Sequence, residues 1–223
     1  MAKISALVSS YYAEDYLTAR LLNLFGQKKH IDLEIVIICQ KGSIEEEIAK
    51  PYNVKIVTTS DVPTIGKAWN LGIEASSGEY LATANTDDLH AVDGLKCMAD
   101  TLDDNPDIGL VFAQVDIDDG FERKAWQRIN HDTGEVKDIK NILAERCIIG
   151  PMPMWRKSLH DDFGLFDEKY IVASEYGMWY CMARGGVRFF YIAESLGVYR
   201  NRPDSLEHSN SHMLKMENER VRA

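Results

Sequence analysis

The sequence predicts an α/β fold built on a mostly parallel open sheet, and three observations predict it. Short β-branched runs alternate with amphipathic segments through the first half of the chain. One run, "LEIVIICQ" (33–40), is apolar on both faces, as a strand covered on both sides must be. With 45% hydrophobic and 27% charged residues, 223 residues are enough to bury a substantial core.

The elements follow in order. Residues 3–9, "KISALVS", read as a first buried strand. "AEDYLTARLLNLFGQ" carries Leu17, Leu21, Leu24 and Phe25 as a helical stripe. After the second strand (33–40), Gly42 and Ser43 break the run and Ser43 can cap the acidic helix "SIEEEIAK". "VKIVTT" (54–59) is a third strand, and 65–78 reads as a helix closed by Gly78. "EYLATAN" (79–85) is a fourth strand. Residues 92–109 read as a helix ending near Pro106, and 110–119 as a strand. Residues 120–146 are mixed and polar, with breaks at Gly120 and Gly134. Residues 166–186 begin as a loop and become an amphipathic helix that stops at Gly185-Gly186. Residues 187–200 are strand-like, and the tail from Arg202 is polar, partly helical or loose. Lengthwise this is one domain: a first half over about 1–115, a second over about 116–205, and a tail over 206–223.

Bulk properties narrow the function. The net charge is −10 and the pI about 5.1, which argues against a nucleic-acid partner. An acidic protein that takes a phosphorylated ligand would want a metal ion between the two. Cys39, Cys97, Cys147 and Cys181 form no CxxC pair, so neither a zinc site nor a disulfide framework is expected, and the thiols read as reduced. The N-terminus does not read as a signal peptide, and no stretch approaches the roughly 20 apolar residues of a membrane span. The expectation is a cytoplasmic protein that could still touch a membrane surface.

Asp87 and Asp88, in "EYLATANTDDLHAVDGL" (79–95), fall just past the fourth strand. Open α/β sheets bind ligands beyond the carboxyl ends of their strands. The other reading of the two acids is a helix N-cap.

The order of these signals resembles the family 2 glycosyltransferases. The resemblance runs from about Lys3 to Ser205 and rests on "ALVSSYYAEDYL", "EIVIICQKGS", "AWNLGIEASSGEYLATANTDD", "GLFDEKY", "ASEYGMWYCMARGG" and "GVYRNRPDS". It implies the GT-A fold, with the first half binding a nucleotide-sugar and the second an acceptor. It implies a hexosyltransferase-type enzyme that passes a sugar from a nucleotide-sugar, a UDP-sugar foremost, to a hydroxyl of a glycan or lipid-linked acceptor with inversion, as in polysaccharide biosynthesis. It also implies a divalent metal, Mn²⁺ or Mg²⁺, bridging the diphosphate. Aligned with the family's Asp-x-Asp element stand Asn85, Thr86 and Asp87. Asp87 then takes the metal, with Asp88 beside it, and Asn85 a ribose hydroxyl. Gln40 falls where the family reads the base; with Lys41 it also fits an ordinary solvated turn. Ser9 and Tyr11 lie at the first strand end for base or ribose. Lys67 and Asn70 lie on the helix before the site, where Asn70 could instead fix a loop. Glu175 aligns with the general base and Ser174 with the acid before it; the other reading is a helix N-terminal acid that suits the dipole, with Ser174 as its cap. Trp179 and Tyr180 are core or a wall for a sugar ring, and Met154 and Trp155 line the pocket or cover the core. Arg200 and Arg202 could reach the diphosphate, and His208 could be a further ligand or simply solvated.

Asn85, Gln40 and Ser174 each stand where the family has an acid. They motivate the rival reading, a catalytically degenerate nucleotide- or glycan-binding protein. A nucleotidyltransferase is disfavoured because "SSYYAEDY" is not a Gly-rich, basic phosphate loop, and a dehydrogenase because no GxGxxG follows the first strand.

Overall fold

The computed structural model describes residues 4–126 and 128–223; Lys3, expected in the first strand, lies outside them. The elements run β1 (Ile4–Ser9), α1 (Glu14–Gln27), β2 (Leu33–Gln40), α2 (Ile44–Ala49), β3 (Lys55–Thr59), α3 (Ile65–Ala75), β4 (Tyr80–Thr83), β5 (Leu89–His90), α4 (Gly94–Asp104) and β6 (Ile108–Asp118). They continue with β7 (Arg123–Trp126), β8 (Gly134–Glu135), α5 (Ile139–Glu145), β9 (Met154–Arg156), α6 (Leu159–Phe163), α7 (Ser174–Arg184), β10 (Arg188–Arg200), α8 (Leu206–Ser209) and α9 (Ser211–Arg222).

Among the described residues all the strands join one sheet, ordered β3-β2-β1-β4-β9-β6-β10-β5, with β7 on β6 and β8 on β10. Strands β1 to β4 pair in parallel. β9 then inserts antiparallel between β4 and β6, and β10 runs parallel to β6. A strand from the second half of the chain thus joins the strands of the first half into one sheet.

Successive residues of a strand point to opposite faces. Leu7, Val36 and Ile38 pack on one side with Trp69 and Ile73 of α3 and Trp179 and Met182 of α7. Val8, Ile35, Ile37 and Cys39 pack on the other with Leu17, Leu21 and Leu24 of α1 and Met98 and Leu102 of α4. Both faces are therefore apolar, which explains the unbroken run at 33–40. A Cβ at Gly72 would lie 3.0 Å from Ile38 Cδ1 and 3.3 Å from Leu7 Cδ2, so glycine there lets α3 lie close on the sheet.

Some boundaries differ from those read in the sequence. α3 ends at Ala75, because the Ser76 hydroxyl donates to the Ile73 carbonyl at 2.7 Å, and Gly78 instead donates its N–H to Ser5 Oγ at 2.9 Å. α4 is shorter at both ends than the expected 92–109. The mixed segment 120–146 holds β7, β8 and α5, and the tail forms α8 and α9, with α9 packed against α7. No helix among the described residues is long and apolar enough to cross a membrane. All four cysteines are free.

Candidate active site

The carboxyl ends of β1 to β4 lie together at one edge of the sheet. Their turns are tied to one another: Thr86 Oγ1 donates to the Ser9 carbonyl at 2.8 Å, and Tyr11 Oη lies 3.0 Å from Thr59 Oγ1. Gln40 Nε2 donates to the Ser60 carbonyl at 3.2 Å. Ser9, Tyr11, Gln40, Asn85 and Asp87 thus gather at this edge, as the sequence reading expects. Burial pushes the Tyr11 hydroxyl above its ordinary pKa. The β1–α1 turn also holds Tyr12 at φ +54°, a left-handed conformation unusual for tyrosine, with its ring exposed. Lys67 is exposed in the first turn of α3, where Thr64 Oγ1 caps the helix by accepting the Lys67 N–H.

The two adjacent acids part company. Asp87 is half-buried and its Oδ2 accepts from Arg202 Nε at 2.9 Å. Asp88 is fully buried. Its Oδ1 accepts the Arg200 N–H and its Oδ2 the Asn85 side-chain amide, each at 3.0 Å. Burial first, then the neighbouring Asp87 charge, pushes the Asp88 carboxyl up to about 7. The expectation of Asp88 as a second metal ligand is therefore corrected: its oxygens are spent on N–H donors inside the protein. Asp88 joins the β4 turn to the end of β10. Behind it the fully buried Arg20 donates to the Ala84 carbonyl at 3.3 Å and meets His90 Nδ1 at 3.0 Å. Burial lowers the Arg20 pKa to about 10. Arg200 and Arg202 both stand over the Tyr16 ring, their guanidinium carbons 5.3 and 4.7 Å from its centroid.

Asn70 takes the alternative the sequence left open for it, fixing a loop, in place of a nucleotide contact. It is buried, its Nδ2 donates to the Phe166 carbonyl at 2.9 Å and to Glu168 Oε1 at 3.1 Å, and its Oδ1 accepts the Phe166 N–H at 2.9 Å. Its amide is used up in fixing the "GLFDEKY" turn to α3. Met154 and Trp155 do not line the site either; both are fully buried on opposite faces of β9. Trp179 is core, and Tyr180 is half-buried. His208 Nδ1 contacts Ser205 Oγ and the Arg202 carbonyl, which occupies that nitrogen in closing the turn into α8.

Glu175, half-buried, lies in the first turn of α7. α7 begins beside the start of α3: a Cβ at Gly66 would collide with Ser174 Oγ, and Thr64 Oγ1 donates to the Glu168 carbonyl at 3.2 Å. Since α3 starts where β3 ends, Glu175 belongs to the same edge of the sheet as Asp87. Ser174 is no cap for α7; its hydroxyl donates to the Asp167 carbonyl at 3.1 Å. Residues that the sequence did not flag also shape the site. Tyr16, under the Arg200 and Arg202 guanidiniums, and Arg20, behind Asp88, carried no signal beyond places on an amphipathic helix. A hollow of about 540 Å³ lined by Glu79, Arg156 and His160 opens at the opposite edge, where β4 begins.

No group of three or more His, Cys, Asp or Glu among the described residues is arranged to hold a metal. A hard divalent cation on a diphosphate needs less: one or two carboxylates, with phosphate and water oxygens completing its shell. Asp87 suits that part. Its carboxylate already holds a positive group, the Arg202 guanidinium, at the open side of the turn.

The model of the family described as Glycosyl transferase family 2 matches residues 5–164. A Methanocaldococcus jannaschii glycosyltransferase, MJ1057, is 25% identical over 206 residues, covering 88% of this chain and 70% of that protein. A Nostoc glycosyltransferase, alr2836, is 24% identical over 225 residues, covering 95% of this chain and 67% of that protein. Among solved structures, S. aureus TarS 1–349 in complex with UDP-GlcNAc superposes with a TM-score of 0.79 at 20% identity. That match covers 93% of this chain and 61% of the TarS chain. TarS 1–349 in complex with UDP gives 0.75 at 19% identity, over 99% of this chain and 70% of that one. These superpositions establish the GT-A fold.

Proposed function

This chain belongs to glycosyl transferase family 2, and on that premise we propose that it moves a sugar from a nucleotide-sugar to an acceptor hydroxyl, with inversion at the anomeric carbon. The observation that supports the proposal is the placement of Asp87 after β4 and of Glu175 beside the start of α3, both at the carboxyl-end edge of the sheet with the turns after β1, β2 and β3. Ser9, Tyr11 and Gln40 receive the base and ribose, and Asn85 a ribose hydroxyl. Lys67 and Arg200 face the diphosphate. The donor is a UDP-sugar, a reading supported by the UDP and UDP-GlcNAc complexes of the TarS structures. The acceptor is a hydroxyl of a glycan or lipid-linked molecule, taken by the half of the chain from about 116 to 205; residues up to about 115 take the donor.

Inversion is a single displacement. The acceptor hydroxyl attacks as its proton passes to the Glu175 carboxylate, and the nucleoside diphosphate leaves from the opposite face. Asp87 would hold Mn²⁺ or Mg²⁺ against the diphosphate. When bound, that ion neutralises charge gathering on the leaving group. Asp88 keeps the Asp87 turn in place from inside the protein.

The test pairs the protein and Mn²⁺ or Mg²⁺ with a panel of nucleotide-sugars. Transfer or slow hydrolysis is expected with at least one of them, falling by about 10²–10⁴ in Glu175→Gln with nucleotide affinity kept. The Asp87–Arg202 pair favours one second reading, a nucleotide- or glycan-binding protein in which Arg202 keeps the cation seat closed. That reading requires binding without turnover, unchanged in Glu175→Gln.

A further inference from the structure

We propose that Glu217 is a positioning residue for Glu175, a clasp from the C-terminal helix that fixes the start of α7; the proposal rests on the reading of Glu175 as the base. Glu217 is the buried residue of α9, at 2% exposure on an otherwise polar helix. A carboxylate is costly to bury unless hydrogen bonds compensate its lost water. Here backbone donors do so. Oε1 accepts the Ile171 N–H at 2.8 Å, and Oε2 accepts those of Val172 and Ala173 at 2.9 Å each. These are the residues immediately before α7, whose N-cap, Ala173, offers no side-chain cap.

The negative charge of Glu217 also suits the positive end of the α7 dipole. Earlier in the same connection, α3 holds Phe166 through Asn70 and Glu168 through Thr64. The peptide leading to Glu175 is therefore gripped by two helices, and only one of those grips comes from the tail. α9 has independent anchorage, since Arg222 Nη1 donates to the Glu145 carbonyl at 2.8 Å and Val221 packs near Gly177. A glutamine at 217 keeps the shape of the side chain but offers one acceptor oxygen in place of two and no charge. Three orphaned or weakened N–H groups would then loosen the first turn of α7.

The full-length chain is compared with Glu217→Gln, Glu217→Asp and Arg222→Ala. In Glu217→Gln, amide exchange at 171–173 is expected to quicken by about tenfold. In the same variant kcat should fall by about tenfold or more while the donor KM stays within about twofold. Arg222→Ala loosens α9 away from the clasp, and its kcat should stay within about twofold of the parent. Glu217→Asp, which keeps the charge, should recover part of the loss; it also serves if the glutamine variant does not fold. Unchanged exchange at 171–173 in a folded Glu217 variant overturns the clasp. An equal loss of kcat in Arg222→Ala overturns positioning in favour of general docking of the tail. If the parent turns over no donor, the reading of Glu175 is what fails, and exchange still decides whether the clasp exists.

Discussion

Asp87 keeps its carboxylate on the open side of the β4 turn, against Arg202, while Asp88 is turned inward onto the Arg200 and Asn85 donors. Two acids side by side are tolerated because Asp87 meets the Arg202 guanidinium and Asp88 meets N–H donors, while burial and the Asp87 charge favour the neutral form of Asp88. On the proposed function, a divalent cation would compete with Arg202 for this one carboxylate. A half-buried ion pair of this kind is worth up to about 1 kcal/mol. Removing it in Arg202→Ala should tighten Mn²⁺ binding to the nucleotide-free protein by up to about fivefold, read by calorimetry. Weaker Mn²⁺ binding in that variant would show that Arg202 supports the seat instead of contesting it. Asp87 itself was legible, because acids beyond a strand end in an open α/β sheet are where ligands bind. That its neighbour faces inward was not, because the Arg200 N–H that takes it comes from a strand end 112 residues away.

At the scale of the element, α2, α3 and α8 carry their own caps in Ser43, Thr64 and Ser205. α1 and α7 do not; each borrows a carboxylate from another helix. Glu45 of α2 accepts the Ala13 N–H at 2.9 Å where α1 begins, as Glu217 does for α7. Burial works to raise the Glu45 pKa, but the hydrogen bonds, that from Ala13 foremost, outweigh it and leave the group below its ordinary value of 4.5. A lowered acid stabilises the fold above its ordinary pKa, and that contribution is lost as pH falls through the lower folded value. The parent should therefore exceed Glu45→Gln by about 1 kcal/mol at pH 7. Urea unfolding at stepped pH should show that gap closing below the ordinary carboxylate range; a gap independent of pH would count against the charge. Self-capped starts such as Ser43 were readable from sequence, since cap and helix are neighbours. Borrowed caps were not, since Glu45 and Glu217 sit inside helices where acids are ordinary.

For the molecule as a whole, an aromatic joint in the second half of the chain ties its helices to β9, the strand that pairs with β4. Trp155 of β9 packs edge-on against Trp179 at 5.0 Å and Phe166 at 6.2 Å between centroids, and its Nε1 donates to His160 Nε2 at 2.9 Å. It links the sheet centre, α6, the 165–173 segment and α7. Trp155→Ala should cost about 3–5 kcal/mol by leaving a cavity at that joint. A lowered denaturant midpoint would register it; a shift under about 1 kcal/mol would show that other contacts hold α6 and α7 to the sheet.

The amino-acid sequence by itself determined the strand–helix alternation from Ile4 to Thr83, the two-faced burial of Leu33–Gln40, the helix over Ser174–Arg184 and the gathering of candidate residues beyond the strand ends. The elements rest on periodicity and on contacts between near neighbours, which a linear text displays; the candidate residues rest on the family resemblance and on the place of ligands beyond strand ends. Only the tertiary structure decided that Met154–Arg156 would slot between β4 and β6, that Asn70 would hold the turn at Phe166, and that the polar tail would reach back to Ile171. A three-residue strand has no readable period, and an amide or carboxylate looks the same in sequence whether it meets water or a buried N–H. Its partner is chosen by chain segments tens of residues away, so the choice exists only once the sheet has closed.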